Sequence, residues 1–282
     1  MRKVLFFIGF IILRINILNA NPYGMGEAYT SYGNSVYGIK YNPASVVELK
    51  NKEFAVLYTK YYSGLENDSL NRYDFLLGTK IKYIPVSFEV DYFTSNLFDV
   101  VSYNFGGGYE LYNFKIGVLN KVINYKYSEN EYTVIDPVFR NKKGVTVYTF
   151  DIGAIYNLFN IAKIGVSYQN INRPIISLQD DSNSRLESVI RAGASKEFFK
   201  FIVVNFDAVY NFSFINLYTG ARIKLGKFMA LAGGIKLMRK RINFNIGMEA
   251  VISENYEFSY ALKIDAGMTH YLGLKIIKFL SD

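Results

Sequence analysis

The sequence contains no cysteine, no tryptophan and a single histidine, His270. Without cysteine there is no disulfide framework, no thiol nucleophile and no zinc-thiolate site. With one histidine, no Ser-His-Asp set can be assembled with any specificity, and a transition-metal site would have to be built from carboxylates. A phosphate-binding glycine loop before a helix is also missing. We therefore expect a protein that is not an enzyme and that uses no cofactor and no metal.

Long apolar runs are missing too, apart from one near the N-terminus. Residues 1–20 begin with Arg2 and Lys3, continue with the apolar run Val4–Leu13 and end in Ala20, which is the order of a secretory signal peptide. We expect cleavage after Ala20; the alternative is an uncleaved N-terminal anchor. No later segment approaches the roughly 18 apolar residues of a spanning helix. Further membrane insertion of the exported chain must therefore use strands, because a bilayer tolerates only helices or closed sheets.

Net charge and aromatic content limit the classes of molecule that the protein is expected to contact. The formal net charge is +8, but the lysines and arginines are scattered and form no cluster with aromatic residues, so no nucleic-acid partner is expected. Tyrosine and phenylalanine are abundant, with 25 and 23 copies. Such residues suit the girdles that flank the apolar band of a membrane barrel, although tyrosine-rich strands also occur in soluble sheets.

From about Lys52 onward, apolar and polar residues alternate in long stretches separated by turns. In Arg241–Ile252, one face consists of Ile242, Phe244, Ile246, Met248, Ala250 and Ile252, and the other of Arg241, Asn243, Asn245, Gly247 and Glu249. A soluble sandwich would pair such apolar faces in a shared core and usually has shorter strands. Many of these runs reach about twelve residues, at or above the roughly 9–11 that a tilted strand needs to cross a bilayer.

The alternation predicts an all-β fold, a transmembrane antiparallel β-barrel of about fourteen strands in residues 53–282. The predicted strands are Glu53–Tyr62, Leu70–Tyr83, Pro85–Thr94, Val100–Tyr112, Phe114–Tyr127, Val145–Asn157, Ile161–Asn172, Leu186–Phe198, Lys200–Phe212, Asn216–Leu225, Lys227–Met238, Arg241–Ile252, Tyr256–Asp265 and Thr269–Phe279.

The connections between these strands alternate between long and short. Long ones include Ser63–Ser69, Ser95–Asp99, Ser128–Gly144 and Arg173–Arg185, whereas those between them are tight. Outer-membrane barrels have long extracellular loops and short periplasmic turns. The chain is therefore expected in the outer membrane, and an even strand number returns both of its ends to the periplasm.

A barrel of this size needs something in its interior. Eight strands leave a lumen that side chains can fill, while about 16–18 leave an open channel. We expect Asn21–Lys52, a glycine- and tyrosine-rich segment with a short helix, to form a hatch in the lumen. Glycines on the lumen side, among them Gly106, Gly108, Gly153, Gly165, Gly193, Gly220 and Gly247, either clear space for this hatch or a ligand or, as we favour, relieve strain where the sheet bends.

Charged residues are expected to face the lumen, since Lys or Arg at the lipid midplane costs about 2–4 kcal/mol. They are Glu89, Asp91, Asp151, Arg191, Asp207, Arg222, Lys236, Glu249 and Lys263. These residues either line a polar path or form cross-strand pairs that hold the hatch and the wall together.

Three successive basic residues, Arg239, Lys240 and Arg241, occupy a predicted tight turn on the outer side. They are candidates for contact with lipopolysaccharide phosphates through charge-assisted hydrogen bonds. A solvated basic turn is an equally good interpretation.

The hatch carries two short motifs. Tyr23–Thr30 reads YGMGEAYT, and Ser35–Ser45 reads SVYGIKYNPAS. This sequence resembles the opening of FadL-type outer-membrane transporters and their PorV/PorQ relatives, in which Gly-Met-Gly-x-Ala-Tyr leads to a Tyr-x-Asn-Pro-Ala box. It departs from that pattern in that Tyr41 adjoins Asn42 directly, and Gly38 and Ser45 are not the usual residues. Ile164–Ile171, Arg191–Ser195 and the hairpin from Phe258 to His270 resemble later strands of the family.

The resemblance implies a fourteen-stranded barrel with an N-terminal hatch. It also implies Gly24, Gly26, Tyr41, Asn42, Pro43 and Ala44 as candidate ligand or gating residues of the hatch. The Asn42-Pro43 turn either shifts to open a path or merely starts the turn into the first strand, which we favour.

Two functions remain open, because a fold does not choose between them. The favoured one is that of a PorV/PorQ-like partner in type IX-like secretion, whose outer loops contact secreted proteins at the cell surface, since the chain is short and these loops are modest. The alternative is a FadL-type channel for hydrophobic small molecules. Outer-membrane lipid and lipopolysaccharide are expected partners in both cases.

Overall fold

The computed structural model describes residues 21–64, 69–129, 131–141, 143–159, 161–179, 184–253, 255–265 and 267–277. The predicted signal peptide, residues 1–20, and the last two residues of the predicted final strand lie outside these ranges. Within the ranges the chain forms a closed antiparallel barrel of fourteen strands. The predicted fold class is therefore confirmed.

Fourteen strands follow one another around the barrel, each paired with its neighbours in sequence. They are β1 Glu53–Ser63, β2 Asn71–Ile81, β3 Ile84–Thr94, β4 Phe98–Leu111, β5 Phe114–Tyr127, β6 Gly144–Leu158, β7 Ala162–Gln169, β8 Val189–Phe198, β9 Ile202–Tyr210, β10 Ile215–Leu225, β11 Met229–Met238, β12 Arg241–Ser253, β13 Tyr256–Ile264 and β14 Met268–Ile277.

The sheet closes where the first strand meets the last. β1 pairs with β14 from Glu53 opposite Ile277 to Lys60 opposite His270, and a register shift follows before Ser63. Closure gives every edge a partner, so the barrel avoids the exposed strand edges that invite aggregation.

The alternation of side chains sorts them to the two sides of the wall. In β12, Ile242, Phe244 and Ile246 are 56%, 51% and 56% exposed, whereas Asn243 and Asn245 are 3% and 2% exposed. The apolar side chains thus point outward and the polar ones into the lumen, the reverse of a soluble protein. Among the helices within the described ranges, none is long and apolar enough to span a membrane.

Several strands are shorter than the alternation predicted, and for β7 and β9 backbone conformation explains the difference. β7 ends at Gln169 because Asn170 adopts a positive φ of 53° and its N–H turns to the Asp151 carboxylate at 2.8 Å. β9 stops short at both ends because Lys200 and Phe212 each have a φ of 62°. A left-handed residue breaks the ladder wherever it occurs, whatever the polarity of its side chain.

Long and short connections lie at opposite ends of the barrel, which we call the loop end and the turn end. The loop end carries the connection from β5 to β6, with helices α1 Glu131–Ile135 and α2 Pro137–Asn141, and the connection from β7 to β8. The turn end carries tight turns, such as Lys82-Tyr83 and Tyr112-Asn113. The expected alternation of long and short connections is present.

Because the chain has no tryptophan, a single introduced indole reports its own surroundings. If the outward rows contact lipid, Phe244→Trp in reconstituted protein emits at short wavelength and is quenched by bromine on lipid acyl chains. Lys240→Trp, in the exposed turn between β11 and β12, is the matched control and emits as in water. An indole at position 244 that acrylamide quenches and brominated lipid does not would contradict a lipid-facing wall.

Candidate functional site

The hatch, residues Asn21–Lys52, lies in the lumen and is buried along most of its length. It contains a 3-10 turn at Val36–Lys40 and a helix, here called αH, at Ser45–Glu48. Its apolar side chains form two clusters with the wall, one centred on Tyr37 and Val46 and one on Tyr29 and Met25. The interior of the barrel is therefore built around this segment.

The hatch contacts the inner face of every strand of the barrel. In strand order the wall residues in contact are Glu53, Asp74, Glu89, Gly108, Lys115, Ala154, Ser167, Arg191, Asp207, Gly220, Lys236, Asn245, Ser259 and Tyr271. The contacts surround the hatch, so it is not hinged along one side.

Asn42 is the most heavily bonded residue of the Asn-Pro-Ala box. It is fully buried, and its amide nitrogen donates to the carbonyl oxygens of Thr30 at 2.8 Å, Ala154 at 3.0 Å and Val166 at 3.3 Å. Its side-chain oxygen accepts the N–H of Ala44 at 3.0 Å. One side chain therefore ties two parts of the hatch to β6 and β7.

The residues on either side of Asn42 are fixed to the same part of the wall. The carbonyl of Tyr41 accepts hydrogen bonds from Ser167 Oγ at 2.7 Å and from Gln169 Nε2 at 3.3 Å. Pro43 lies directly against Gly117. The box does form a turn, here into αH, and its role in gating stays a prediction.

A row of glycines on the lumen face gives the hatch backbone room to approach the wall. We call it the glycine belt. At these positions an added Cβ would lie less than 3.0 Å from a hatch atom: Gly108, Gly117, Gly153, Gly165, Gly220, Gly234 and Gly247. Gly193 extends the belt, since a Cβ there would meet the Asp207 carboxylate that binds the hatch. These contacts support clearance for the hatch over strain relief, except at Gly106, where a Cβ would meet only wall atoms.

The two predicted glycines of the hatch itself lie against this belt. Gly24 packs on Gly247 and Ala232, where a Cβ would lie 3.0 and 3.1 Å from the nearest atoms. Gly26 has a φ of 62° and packs on Gly234. Gly26 favours glycine through its backbone conformation, and at Gly24 a side chain would press on the wall.

Asp207 and Arg191 bind the middle of the hatch. The Asp207 carboxylate accepts the N–H groups of Tyr29 at 2.9 Å and Thr30 at 3.0 Å, as well as the Thr30 hydroxyl at 2.6 Å. Arg191 donates to the carbonyl of Glu27 at 2.8 Å and lies 3.3 Å from Asp207. All of these donors reach the same carboxylate oxygen, Oδ2, so Asp207 is compensated for its loss of water at that oxygen.

Lys40 of the hatch binds a group of carboxylates on β2 and β3. Its ammonium lies 2.5 Å from Asp74, 3.2 Å from Glu89 and 3.6 Å from Asp91. These carboxylates lie close enough together to hold a cation, and Lys40 with Arg72 supplies the positive charge. Burial and Arg72 act to lower the pKa of Lys40, but Asp74 and Glu89 outweigh them and hold this pKa well above its ordinary value.

Two glutamates of the hatch form further ion pairs with the wall. Glu48 binds both Lys115 and Lys163, and Glu27 binds Lys236 at 2.5 Å. Burial acts to raise the pKa of Glu48, but the two lysines outweigh it, so this pKa lies below its ordinary value. Glu48 therefore stays ionised at neutral pH.

The other charges expected in the lumen also form pairs. Arg222 donates to Glu249 at 2.6 Å, Lys121 lies 2.6 Å from Asp151, and Lys263 lies 2.6 Å from Asp265. This arrangement agrees with the interpretation of mixed-sign pairs within the wall. The sequence could not identify Lys40, Glu48 and Glu27, because their partners lie on distant strands.

The basic turn at Arg239, Lys240 and Arg241 lies at the loop end and is exposed. The guanidinium of Arg239 lies 4.4 Å from the ring centroid of Phe214 in the neighbouring connection, between β9 and β10. A cation held over an aromatic face leaves its N–H groups available at the rim. Contact with lipopolysaccharide and simple solvation both stay predictions.

Aromatic rings form a continuous row on the lumen side of the loop end, which we call the aromatic row. Ring centroids are 6.1 Å apart for Tyr61 and Phe93, 5.6 Å for Phe93 and Phe98, 6.3 Å for Phe98 and Tyr127, and 5.6 Å for Tyr127 and Phe139. The last ring belongs to α2 in the connection from β5 to β6. All five rings are half-buried. The row forms an apolar surface from a loop to the edge of the Lys40 cluster.

The glycine belt predicts whether a Gly→Ala substitution stabilises or destabilises the folded barrel. Gly153→Ala brings a Cβ to 2.9 Å from Pro43 Cδ and still closer to Asn42, so we expect destabilisation by about 1–3 kcal/mol. Gly233→Ala, on the outward face of β11, meets only one atom, at 4.0 Å, and should be neutral or stabilising. The stability of both variants is measured by heating samples to a series of temperatures before a detergent gel. The folded barrel migrates fast, and the temperature at which the fast band disappears is compared. Equal stabilisation by the two substitutions would contradict hatch clearance.

Comparison with known proteins identifies the fold. No protein-family model and no curated protein matches the sequence. The structure is similar to the toluene transporter TbuX of Ralstonia pickettii, with a TM-score of 0.69, 11% identity, and coverage of 93% of this chain and 99% of that one. It is similar to the CymD monoaromatic hydrocarbon channel, with a TM-score of 0.67, 13% identity, and coverage of 93% and 98%.

A FadL homologue of Pseudomonas aeruginosa is also similar, with a TM-score of 0.62, 10% identity, and coverage of 92% of this chain and 98% of that one. At such low identity these likenesses show a shared fold. The chain thus has the fold of FadL-type barrels along almost its whole length, as the resemblance implied. None of these structures supports the narrower PorV/PorQ assignment.

Proposed function

We propose that this protein is an outer-membrane channel through which small hydrophobic molecules pass, the alternative considered from the sequence. One observation carries the proposal: barrel and hatch together are similar to proteins described as a toluene transporter and a monoaromatic hydrocarbon channel, over 98–99% of those chains. Almost the whole length of those proteins therefore has a structural counterpart in this chain.

The aromatic row supports the same proposal. Its rings expose apolar faces to the lumen at the end that carries the long loops, which in outer-membrane barrels is the extracellular end. Offset or tilted rings bind a further aromatic ring with about 0.5–1.5 kcal/mol beyond the burial of area. A hydrophobic solute arriving from outside would therefore meet this surface before it meets the charges around Lys40.

The outward apolar rows support a location in a membrane, and the orientation follows from the loops. Export of the chain through its predicted signal peptide leads to the outer membrane, because that is where closed bacterial barrels insert. Contacts between the loops at 128–144 and 173–185 and secreted proteins have no support among the similar structures. A secretion partner is therefore not proposed.

Two phenylalanines on opposite faces of β4 provide the test. Phe98→Ala removes a ring from the aromatic row, and we expect it to weaken binding of a monoaromatic hydrocarbon to the purified barrel by about three- to tenfold. Uptake of radiolabelled toluene by cells with an intact lipopolysaccharide layer should fall in parallel. Phe105→Ala, which removes an outward ring that is 56% exposed, is the matched control and should change neither quantity.

Expression of the wild-type barrel should raise toluene uptake above that of cells carrying an empty vector. If wild-type and empty-vector cells take up toluene equally, and the purified barrel binds no hydrocarbon, the proposed function is wrong. If uptake rises but Phe98→Ala and Phe105→Ala behave alike, the channel stands and the aromatic row is not its binding surface.

A further inference from the structure

Asn21, the first described residue, is buried and hydrogen-bonded to the wall. It is 2% exposed, and its backbone nitrogen lies 2.7 Å from Glu249 Oε1. Its side chain donates to Ser259 Oγ at 2.8 Å and accepts the N–H of Tyr23 at 3.0 Å. A distance of 2.7 Å is at the short end for a neutral amide and typical of a charged donor with a carboxylate.

The carboxylate that receives this nitrogen is prepared for a second cationic partner. Arg222 donates to Glu249 Oε2 through Nε at 2.9 Å and through an Nη at 2.6 Å. Both side chains are almost fully buried. Because the guanidinium takes one carboxylate oxygen, the other, Oε1, is left facing Asn21.

The surrounding charges favour a positive group at this place. Three buried carboxylates, Glu53, Glu249 and Glu257, act electrostatically on Tyr37 of the hatch. Among the described buried side chains of this group, the cations are Arg222 and Lys275, the latter 3.0 Å from Glu257. Buried charge is costly unless it is compensated, so a positive group beside Glu249 is favoured.

We propose that hydrolysis of the peptide bond between Ala20 and Asn21 creates this cation, and that the new α-ammonium of Asn21 binds Glu249 and fixes the hatch. Water supplies the hydroxyl that leaves with Ala20 as a carboxylic acid, the C–N bond breaks, and the nitrogen of Asn21 takes up protons. The hydrolase is the signal peptidase that removes leaders from exported chains. The inference rests on the predicted signal peptide and is independent of the channel function.

Removal of the leader thereby becomes a step in assembling the plug. An amide nitrogen offers Glu249 one neutral N–H, whereas an ammonium offers three donors and a full charge. The paired carboxylate favours the protonated form, so the pKa of the α-amino group should lie above the ordinary 7.7–8.0. The processed chain then holds its hatch more firmly than the precursor does.

Chemical labelling of the α-amino group tests the ion pair directly. The full chain, with its own leader, is expressed in a Gram-negative host and purified from the outer membrane in detergent. We expect its N-terminal peptide to begin at Asn21. At neutral pH an acylating reagent should label that amine about tenfold more slowly in the folded barrel than in the denatured chain, the effect of about one pKa unit. Glu249→Gln should abolish most of this protection, and Glu197→Gln, an exposed carboxylate at the same end, should not.

A displaced N-terminus provides a test that leaves Glu249 and Arg222 intact. One glycine inserted between Ala20 and Asn21 moves the ammonium one residue away, so the barrel should lose its fast gel migration at a lower temperature. Combined with Glu249→Gln, the insertion should add little further loss, whereas its effect should add fully to that of Glu197→Gln. A mature chain beginning elsewhere, an α-amine labelled equally fast in folded and denatured protein, or full additivity with Glu249→Gln would each overturn the proposal.

Discussion

The approach of the hatch backbone to a wall without side chains is the interaction on which the rest of the structure depends. Fourteen strands enclose more space than their own inward side chains fill. The wall has no side chains at the glycine belt. At Gly117, Gly165 and Gly220, backbone atoms of the hatch occupy the space that a wall side chain would fill. The wall and the hatch therefore determine each other. A strand row of larger residues would leave no room for Asn42, and a barrel without the hatch would leave its belt facing an open lumen.

Buried polar groups then set the position of the hatch within that space. A buried ion pair contributes little net stability, because removing two charges from water costs about as much as their attraction returns. Leaving one partner alone is far more costly, at about 3–5 kcal/mol. Lys40 is paired with three carboxylates, and Asp207 accepts the N–H groups of Tyr29 and Thr30. These contacts mainly destabilise alternative positions of the hatch, in which the same groups would be unpaired. The apolar clusters around Tyr37 and Tyr29 supply the attraction, and the charges select one arrangement.

Sequence patterns predicted the wall well and the lumen poorly, and the reason is the range of the interactions. Alternation is local, since each residue's side of the sheet follows from its neighbours, and so all fourteen strands were located. The ends of β7 and β9 were not predicted correctly, because a positive φ at Asn170 or Phe212 does not alter the alternation of polar and apolar residues. The partners of the hatch lie 112 residues away for Asn42 and Ala154 and 228 for Asn21 and Glu249. No periodicity reports such pairs.

The completeness of the hatch contacts constrains how anything can pass. Displacing the whole hatch would expose the hydrogen-bonding partners of Asn42, Asp207 and Lys40 together, and each unsatisfied buried group costs about 1–3 kcal/mol, more for charged ones. Conformations that are populated in a working protein lie within a few kcal/mol of the ground state. Wholesale expulsion therefore costs too much, whereas a local rearrangement that breaks few of these bonds lies within reach. For the proposed channel, passage beside a hatch that stays bound is the mechanism that the energetics favour, and it requires that the path follow apolar surface and avoid the paired charges.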